Sequence, residues 1–322
     1  MSTRTEPGGE TYGTTIIVVL ETNPFYWQNA TGADGANGLG SCLRQILVFI
    51  NAHLSLSKRN DVAVLGMHSG GACHFLYESS DDDSKNDGTR NGPNNQDRDP
   101  IQNDVSARIL RSLAALEAER TNKSEKRKNE KHTTTTALAS ALSMSMCYAN
   151  RTAGGGGSRK QKQTRVVVVQ GSADFPGQYV PVMNAIFSAQ RAEIQIDSCI
   201  LGDADRYVLG LSQIQRLFSH TRLTLSFIYL SAFLQQAAHI TGGLYYKVKA
   251  TMELTQSLLQ MSGADSATRK ILQVPNQRGV DFRASCFCHK QPLETGFVCS
   301  VCLSIYCKEC ARCQTCEAEF DA

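Results

Sequence analysis

The cysteines near the end of the chain are its most informative feature, because they stand in four close pairs. The pairs are Cys286 with Cys288, Cys299 with Cys302, Cys307 with Cys310, and Cys313 with Cys316. Two thiolates one or two residues apart can bind the same metal ion, and a structural zinc site takes four protein ligands. Four pairs therefore predict two Cys₄ sites and two Zn²⁺ ions. A disulfide scaffold is the alternative, but it is typical of small secreted chains, and the polar start of this sequence does not resemble a signal peptide.

The order of the pairs predicts how they share the two ions. Residues 307–316 form a continuous CxxCxxCxxC run, whose two pairs cannot easily fold back onto one ion. Interleaving is easier: the first and third pairs bind one zinc and the second and fourth bind the other, as in RING-type modules. His289 stands beside the first pair and could replace a cysteine. A role outside the ligand shell is favoured for His289, because the four cysteines already complete the site.

The length and charge of the chain limit the remaining function classes. Its 322 residues provide room for one medium-sized domain beside the cysteine-rich tail. A formal net charge of +3 gives no electrostatic support for binding nucleic acid. The longest apolar run, residues 223–234, is too short and too polar to span a bilayer. We therefore expect no membrane partner and no direct nucleic-acid contact.

The chain before the cysteine-rich tail shows apolar patterns of two periodicities. The β-branched runs at residues 15–20 and 165–169 predict buried strands. Apolar residues at helical spacing predict helices over residues 39–54, 136–149 and 179–191. With the shorter segments, the predicted order is β-α-β-β-α-α-β-α-β-α-β. This order indicates an α/β fold with a doubly wound, mainly parallel sheet covered on both faces.

Three polar stretches interrupt this pattern and are expected to be loops. They are residues 79–103, rich in Asp, Asn, Gly and Ser; residues 121–135, a mixed-charge run; and residues 151–164, which contain four consecutive glycines. Such sequences bury too little apolar surface to offset the entropy of ordering them. The glycine run lacks the G-x-x-x-x-G-K-[ST] spacing of a phosphate-binding loop and therefore indicates a surface loop.

Four segments together resemble a known family. They are TIIVVLETNPFYW (15–27), QGSADFPGQYVPVMNAIFSAQRAEIQIDSCIL (170–201), FLQQAAHITGGLYYKV (233–248) and RASCFCHKQPLETGFVCSVCLSIYC (283–307). The sequence is similar to the small (thirty-four-kilodalton) von Willebrand A-like core subunit of general transcription and DNA repair factor TFIIH. The resemblance covers nearly the whole chain apart from the loops. It implies a von Willebrand A-like domain over residues 12–265, here called the A-like domain. It also implies a C4-type, RING-like zinc-binding module over residues 283–318, here called the cysteine module.

The resemblance also implies a function. A member of this family is a nuclear, non-enzymatic scaffold of the TFIIH core that serves RNA polymerase II transcription initiation and nucleotide excision repair. Its principal partner is the larger von Willebrand A-like subunit, which itself ends in a RING-like zinc module. Further partners are the other core subunits, including the helicases. The similarity of the tail to the partner's module supports the interleaved zinc ligands.

Von Willebrand A domains often hold Mg²⁺ at a D-x-S-x-S turn after the first strand, and this turn is degenerate here. The corresponding residues are Glu21, Asn23 and Phe25. Phenylalanine offers no oxygen, asparagine lacks the hydroxyl and glutamate is longer than aspartate, whereas a hard cation needs a full oxygen shell. Ser172 and Asp174, after a later strand, could supply distal ligands but cannot replace the first turn. We expect no Mg²⁺ site.

One segment departs from the family pattern. Residues 202–232 separate a predicted strand from the next helix, where a connection of a few residues is usual. The segment is either an insertion or translated intron sequence. We expect it to lie outside the sheet and to be dispensable.

Three other functions compete with the scaffold. A RING-type ubiquitin ligase would use the cysteine module to bind a conjugating enzyme, with Val301, Leu303 and Ile305 as the apolar contact. A zinc-dependent DNA-binding protein is less consistent with a tail whose few basic residues are offset by glutamates. A catalytic enzyme has the least support, since no Ser–His–Asp grouping, phosphate loop or carboxylate pair stands out.

Overall fold

The computed structural model describes residues 13–24, 26–27, 38–68, 72–79, 105–126, 137–153, 163–172, 174–201, 231–248, 253–262, 269, 271, 286–288 and 293–320. Phe25, His289, residues 202–230 and most of the predicted loops lie outside the described residues.

Six strands form one sheet, whose order confirms the predicted fold class. The strands are β1 (Thr14–Glu21), β2 (Asp61–Met67), β3 (Cys73–Glu78), β4 (Gln163–Gln170), β5 (Gln195–Leu201) and β6 (Tyr245–Val248). Their spatial order is β3-β2-β1-β4-β5-β6, and every neighbouring pair is parallel except β2 with β3. This is a doubly wound α/β sheet whose direction of winding reverses between β1 and β4, the point at which such sheets form their ligand crevice.

Helices cover both faces of this sheet. Within the described ranges they are α1 (Leu39–Leu56), α2 (Val105–Lys126), α3 (Leu138–Ala153), α4 (Tyr179–Arg191), α5 (Ala232–Thr241) and α6 (Leu254–Ser262). Helices α1, α2 and α6 contribute to the core on one face, and α3, α4 and α5 contribute to the core on the other. A single 3₁₀ turn, Pro176–Gln178, leads into α4.

The central strands are buried on both sides, which explains their continuous apolar sequence. In β1, Ile16 and Val18 face the core under α1, whereas Ile17 and Val19 face the core under α3 and α4. All four side chains are at most 2% exposed. A strand covered on both faces has no solvent side, so polar residues do not alternate with apolar ones.

Helix α1 is long and apolar enough to cross a membrane, judged by length and composition alone. Its residues Cys42, Ile46, Phe49 and Ile50 are buried in the core against the sheet. Packing inside the A-like domain therefore accounts for the apolar character of this helix.

The helices extend into the predicted loops in two places, and one helix was not predicted. Helix α2 continues to Lys126, into the run of residues 121–135 expected to be a loop, and α3 continues to Ala153. Lysine, arginine and glutamate are good helix formers, and each residue added to an existing helix adds one hydrogen bond. Helix α6 was not predicted. Its Leu254, Leu258 and Met261 stand at helical spacing and are buried in the core that α1 covers.

The cysteine module has little secondary structure. Strands β7 (Phe297–Val298) and β8 (Ile305–Tyr306) form a short antiparallel hairpin. Its small core consists of Cys299, Tyr306 and Cys313 with a few partly buried neighbours. A core of this size is too small to stabilise a fold without a staple such as a bound metal.

Candidate functional site

The second and fourth cysteine pairs come together in a set that we call the second cluster. Its members are Cys299, Cys302, Cys313 and Cys316, whose Sγ atoms all lie within 4.8 Å of one another. The Sγ atoms of Cys299 and Cys316 are 3.7 Å apart, and those of Cys302 and Cys313 are 3.5 Å apart. Zinc–sulfur bonds of about 2.3 Å in a tetrahedron place the sulfurs about 3.8 Å apart. The four thiols therefore fit a zinc ion.

The backbone builds the two halves of the second cluster in the same way. The N–H of Leu303 donates to the carbonyl of Cys299 at 2.9 Å, and the N–H of Glu317 donates to the carbonyl of Cys313 at 3.0 Å. Leu303 and Glu317 both have a φ of 61°, in the left-handed region that residues other than glycine rarely adopt. Leu303 follows Cys299 by four positions, and Glu317 follows Cys313 by four positions. The turn thus brings the two thiols of each pair to the same side.

Hydrogen bonds around Cys313 favour its thiolate, the form that binds metal. The hydroxyl of the buried Tyr306 lies 3.1 Å from Cys313 Sγ and 3.1 Å from Thr315 Oγ1. Backbone N–H groups of Thr315 and Cys316 donate to the same sulfur at 3.4 and 3.5 Å. Burial opposes ionisation, but these hydrogen bonds outweigh it and lower the pKa of Cys313 to about 5. Tyr306 was not predicted as a site residue; an aromatic residue between two cysteine pairs was the available signal.

The first and third pairs contribute three thiols to a separate set, which we call the first cluster. It contains Cys286, Cys288 and Cys307, all with Sγ atoms within 4.8 Å of one another, and the Sγ atoms of Cys288 and Cys307 are 3.4 Å apart. Cys310 does not belong to this set. His289, the other residue considered for this site, lies outside the described residues. Interleaving predicted Cys310 as the fourth member of the first set, where the structure brings only three thiols together. Both clusters could hold a metal ion.

The first-strand turn that holds Mg²⁺ in many A domains has a different use here. Glu21 is completely buried, and its Oε2 accepts hydrogen bonds from the N–H groups of Gly171 and Ser172 at 2.7 and 2.8 Å. The Ser172 hydroxyl donates to the other oxygen of Glu21. Burial raises the pKa of Glu21, and the three hydrogen bonds oppose that shift. The Glu21 side chain thus joins the end of β1 to the turn after β4.

The other residues considered for this turn also have structural roles. Asn23 is buried, and its backbone carbonyl accepts hydrogen bonds from the backbone N–H groups of Tyr26 and Trp27. Phe25 lies outside the described residues. Asp174 accepts hydrogen bonds from the Ser231 hydroxyl at 2.5 Å and from the Phe233 N–H at 2.9 Å, at the start of α5.

Aromatic side chains fill the crevice between β1 and β4. The ring of Tyr26 lies directly over Gly171, where a Cβ atom would be only 2.0 Å from the ring. The Trp27 indole N–H donates to the backbone carbonyl of Glu21 at 2.9 Å. The rings of Tyr26 and Trp27 meet edge to face, with their centroids 5.0 Å apart. Tyr26 and Trp27 are 7% and 6% exposed. The place at which a doubly wound sheet binds small ligands is therefore occupied by the chain's own side chains.

The chain is similar to known proteins in both sequence and fold. The family model for transcription factor Tfb4 matches residues 14–215 and 218–317. The subunit TFB4 of general transcription and DNA repair factor IIH from Arabidopsis thaliana is 33% identical, over 95% of this chain and 88% of its own length. The corresponding subunit from Schizosaccharomyces pombe is 32% identical over the same shares of both chains. The crystal structure of the TFIIH p34 N-terminal domain shares the fold, with a TM-score of 0.53 and 24% identity over 79% of this chain and 98% of that domain.

Proposed function

We propose that this chain, which belongs to the transcription factor Tfb4 family, is a non-catalytic scaffold of the TFIIH core. In that role it acts in the nucleus, in RNA polymerase II transcription initiation and nucleotide excision repair. The observation that carries the proposal is the extent of the similarity, which includes both the A-like domain and the cysteine module in one chain. Relatives that match over both parts are named as subunits of the same factor.

The crevice of the A-like domain supports a role in association rather than in catalysis. An A domain that binds ligands through Mg²⁺ leaves oxygen atoms free to complete the metal shell. Here the Glu21 carboxylate accepts three hydrogen bonds from within the domain, and Tyr26 covers Gly171. Partner binding is therefore expected to depend on packing and hydrogen bonds on the outer surface, without a bridging metal.

We further propose that the cysteine module binds two zinc ions, through Cys286, Cys288, Cys307 and Cys310 and through the second cluster. Seven of these eight thiols already lie in two compact sets. Cys310 would complete the first site by a local shift when metal binds. Binding of zinc to the thiolates supplies the free energy that folds such a module. Cys299→Ser should therefore unfold much of the module and leave the A-like domain folded.

The principal partner proposed is the larger von Willebrand A-like subunit of TFIIH, with the remaining core subunits, including the helicases, as further neighbours. The helical face formed by α1 and α6 is a suitable contact surface. The two helices are joined by a hydrogen bond from the Thr255 hydroxyl to the Gln45 carbonyl at 3.1 Å. Val48 on α1 is 55% exposed and Leu259 on α6 is 43% exposed. Apolar side chains on adjacent helices of one face can supply the desolvated centre of an interface.

A RING-type ubiquitin ligase remains a second candidate because of the surface beside the second cluster. Val298, Val301 and Leu303 are 58%, 69% and 51% exposed. Such apolar residues next to a zinc site could bind a conjugating enzyme. A ubiquitin-chain assay with a panel of conjugating enzymes separates the two functions, since the scaffold predicts no chains above the level without this protein.

Affinity purification of the tagged full chain from nuclear extract, followed by mass spectrometry, tests the proposal. The scaffold predicts recovery of the TFIIH core subunits in comparable amounts. The paired change Val48→Asp and Leu259→Asp should reduce this recovery. Phe187→Asp on α4 is the matched control, because Phe187 is similarly exposed, at 48%, but lies on a helix of the opposite face. Recovery of ubiquitin-conjugating enzymes without TFIIH subunits would contradict the assignment.

A further inference from the structure

An aromatic residue connects the cysteine module to the A-like domain. Phe287 stands between Cys286 and Cys288, and its ring meets the ring of Tyr179 edge to face, with the centroids 6.0 Å apart. Tyr179 in turn contacts the ring of Phe233 at 5.7 Å. Phe287 packs against the small core of the module, and Phe233 packs against the core under α3 to α5. The three rings therefore form a continuous apolar contact from one core to the other.

The contact lies at a particular edge of the sheet. Tyr179 is the first residue of α4, which follows β4, and Phe233 is in the first turn of α5, which follows β5. Both rings thus stand at the carboxyl ends of parallel strands, the edge at which doubly wound sheets bind ligands. Asp174 holds the start of α5 here through the Phe233 N–H at 2.9 Å. The cysteine module therefore contacts the A-like domain on the edge formed by the carboxyl ends of its parallel strands.

Two cysteines of the first cluster stand on either side of Phe287 in the sequence. Cys286 and Cys288 flank it directly, so a metal ion bound to both thiols with Cys307 would hold the backbone on each side of the ring. The Phe287 N–H also donates a hydrogen bond to the Ile305 carbonyl at 2.8 Å. The second cluster has separate support from Tyr306 and from its own turns. The two clusters are therefore suited to different tasks.

We propose that a metal ion bound at the first cluster acts as an intramolecular docking device: it holds Phe287 against Tyr179, which in turn contacts Phe233, so that the cysteine module covers the carboxyl edge of the sheet. The second site stabilises the module itself. This docking requires the proposed zinc binding, but it does not require that the chain be a subunit of TFIIH. In this arrangement the cysteine module of the same chain covers this edge of the A-like domain. Outside partners then use the other surfaces of the domain.

Hydrogen–deuterium exchange of the zinc-loaded full chain, measured by mass spectrometry, tests this device. Phe287→Ala should increase exchange at the first turns of α4 and α5 by about 2- to 10-fold, the range given by the loss of one aromatic contact. Phe297→Ala is the matched control, since Phe297 is a phenylalanine of the same module that is 51% exposed, and it should leave both turns unchanged. Zinc content is measured on every sample, so that failure of the zinc proposal itself, fewer than two ions in the unchanged chain, is recognised separately.

A second variant tests the contact from the side of the A-like domain, where metal binding is not affected. Tyr179→Ala should keep the zinc content of the unchanged chain and increase exchange at residues 286–288 by a similar factor. Unchanged exchange at residues 286–288 in Tyr179→Ala, with two zinc ions retained, would overturn the proposal. Unchanged exchange at α4 and α5 in a zinc-loaded Phe287→Ala chain would overturn it equally.

Discussion

Arg269 forms a buried ion pair with Asp197, with Nη1 of the guanidinium 3.0 Å from Oδ1 of the carboxylate. The Asp197 side chain on β5 is completely buried and that of Arg269 is 8% exposed. Asp197 also accepts the Leu244 N–H at 2.9 Å, and Arg269 also donates to the Met261 carbonyl. Arg269 follows α6 and lies beyond residue 265, the predicted end of the A-like domain. The domain therefore includes at least part of the segment that leads to the cysteine module.

Removing Arg269 should destabilise the A-like domain strongly. Arg269→Ala leaves a buried carboxylate without its charged partner, and such changes lower the free energy of unfolding by about 3–5 kcal/mol. Arg151→Ala is the control: Arg151 pairs with Glu78 at 2.6 Å but is 59% exposed, so its loss should lower that free energy by less than about 1 kcal/mol. Urea unfolding monitored by circular dichroism measures both. Equal effects of the two changes would mean that the buried pair contributes no more than a surface pair.

The pH dependence of stability should reveal the buried Glu21. Burial raises the folded-state pKa of Glu21 above its unfolded value, so the folded protein binds more protons in the window between the two values. The contribution of Glu21 to stability is then fully present below the unfolded pKa of about 4.3 and is lost as pH rises through the folded pKa. Glu21→Gln removes this titration.

The free energy of unfolding of the unchanged chain, minus that of Glu21→Gln, should therefore decrease as pH rises. Urea unfolding in a series of buffers measures the difference. A difference that increases with pH would show that hydrogen bonds to the carboxylate dominate over its burial. Excess Mg²⁺ should leave the stability of both proteins unchanged at every pH, and a selective gain by the unchanged chain would indicate a metal site at this turn.

The hydroxyl of Tyr306 should increase the zinc affinity of the second cluster. Tyr306→Phe retains the buried ring but removes the contacts with Cys313 and Thr315. Partners of metal ligands typically contribute about 10- to 100-fold to metal affinity. Competition with a zinc-binding dye should show one of two zinc ions weakened by such a factor, whereas Tyr246→Phe in β6, also a loss of one hydroxyl, should bind both ions normally. Two unaffected ions in Tyr306→Phe would assign the hydroxyl a packing role only.

The predicted insertion should be removable if its last residues are kept. The Ser231 hydroxyl accepts the Leu234 N–H at 3.2 Å as the N-cap of α5 and donates to Asp174. Deleting residues 203–229 with a short glycine–serine replacement should change the free energy of unfolding little, because loop-closure entropy varies slowly with length. Ser231→Ala alone should lower that free energy by about 1 kcal/mol. Thermal unfolding compares the two, and failure of the deleted chain to fold would place the segment in the core.

The features that the sequence predicted are those carried by residues close together in the chain. The continuous apolar runs of β1 and β4 indicated buried parallel strands, and the spacing of the cysteines indicated how their pairs interleave. The missed features are contacts between distant residues. Glu21 meets Gly171 across 150 positions and Arg269 meets Asp197 across 72, and neither partner has a local pattern that marks it. Cys310 was assigned to the first cluster from its spacing alone, and spacing does not determine where its thiol lies relative to the other three.

Co-purification with the larger von Willebrand A-like subunit of TFIIH tests the central claim most directly. Because Arg269 belongs to the A-like domain, the shortened chain should end at residue 272, which also keeps Ile271. The full chain and residues 1–272 should both retain the partner when each is co-expressed with it, and residues 273–322 with zinc should not. Capture of the partner by residues 273–322 alone, with no binding by residues 1–272, would contradict the assignment of the interface to the A-like domain.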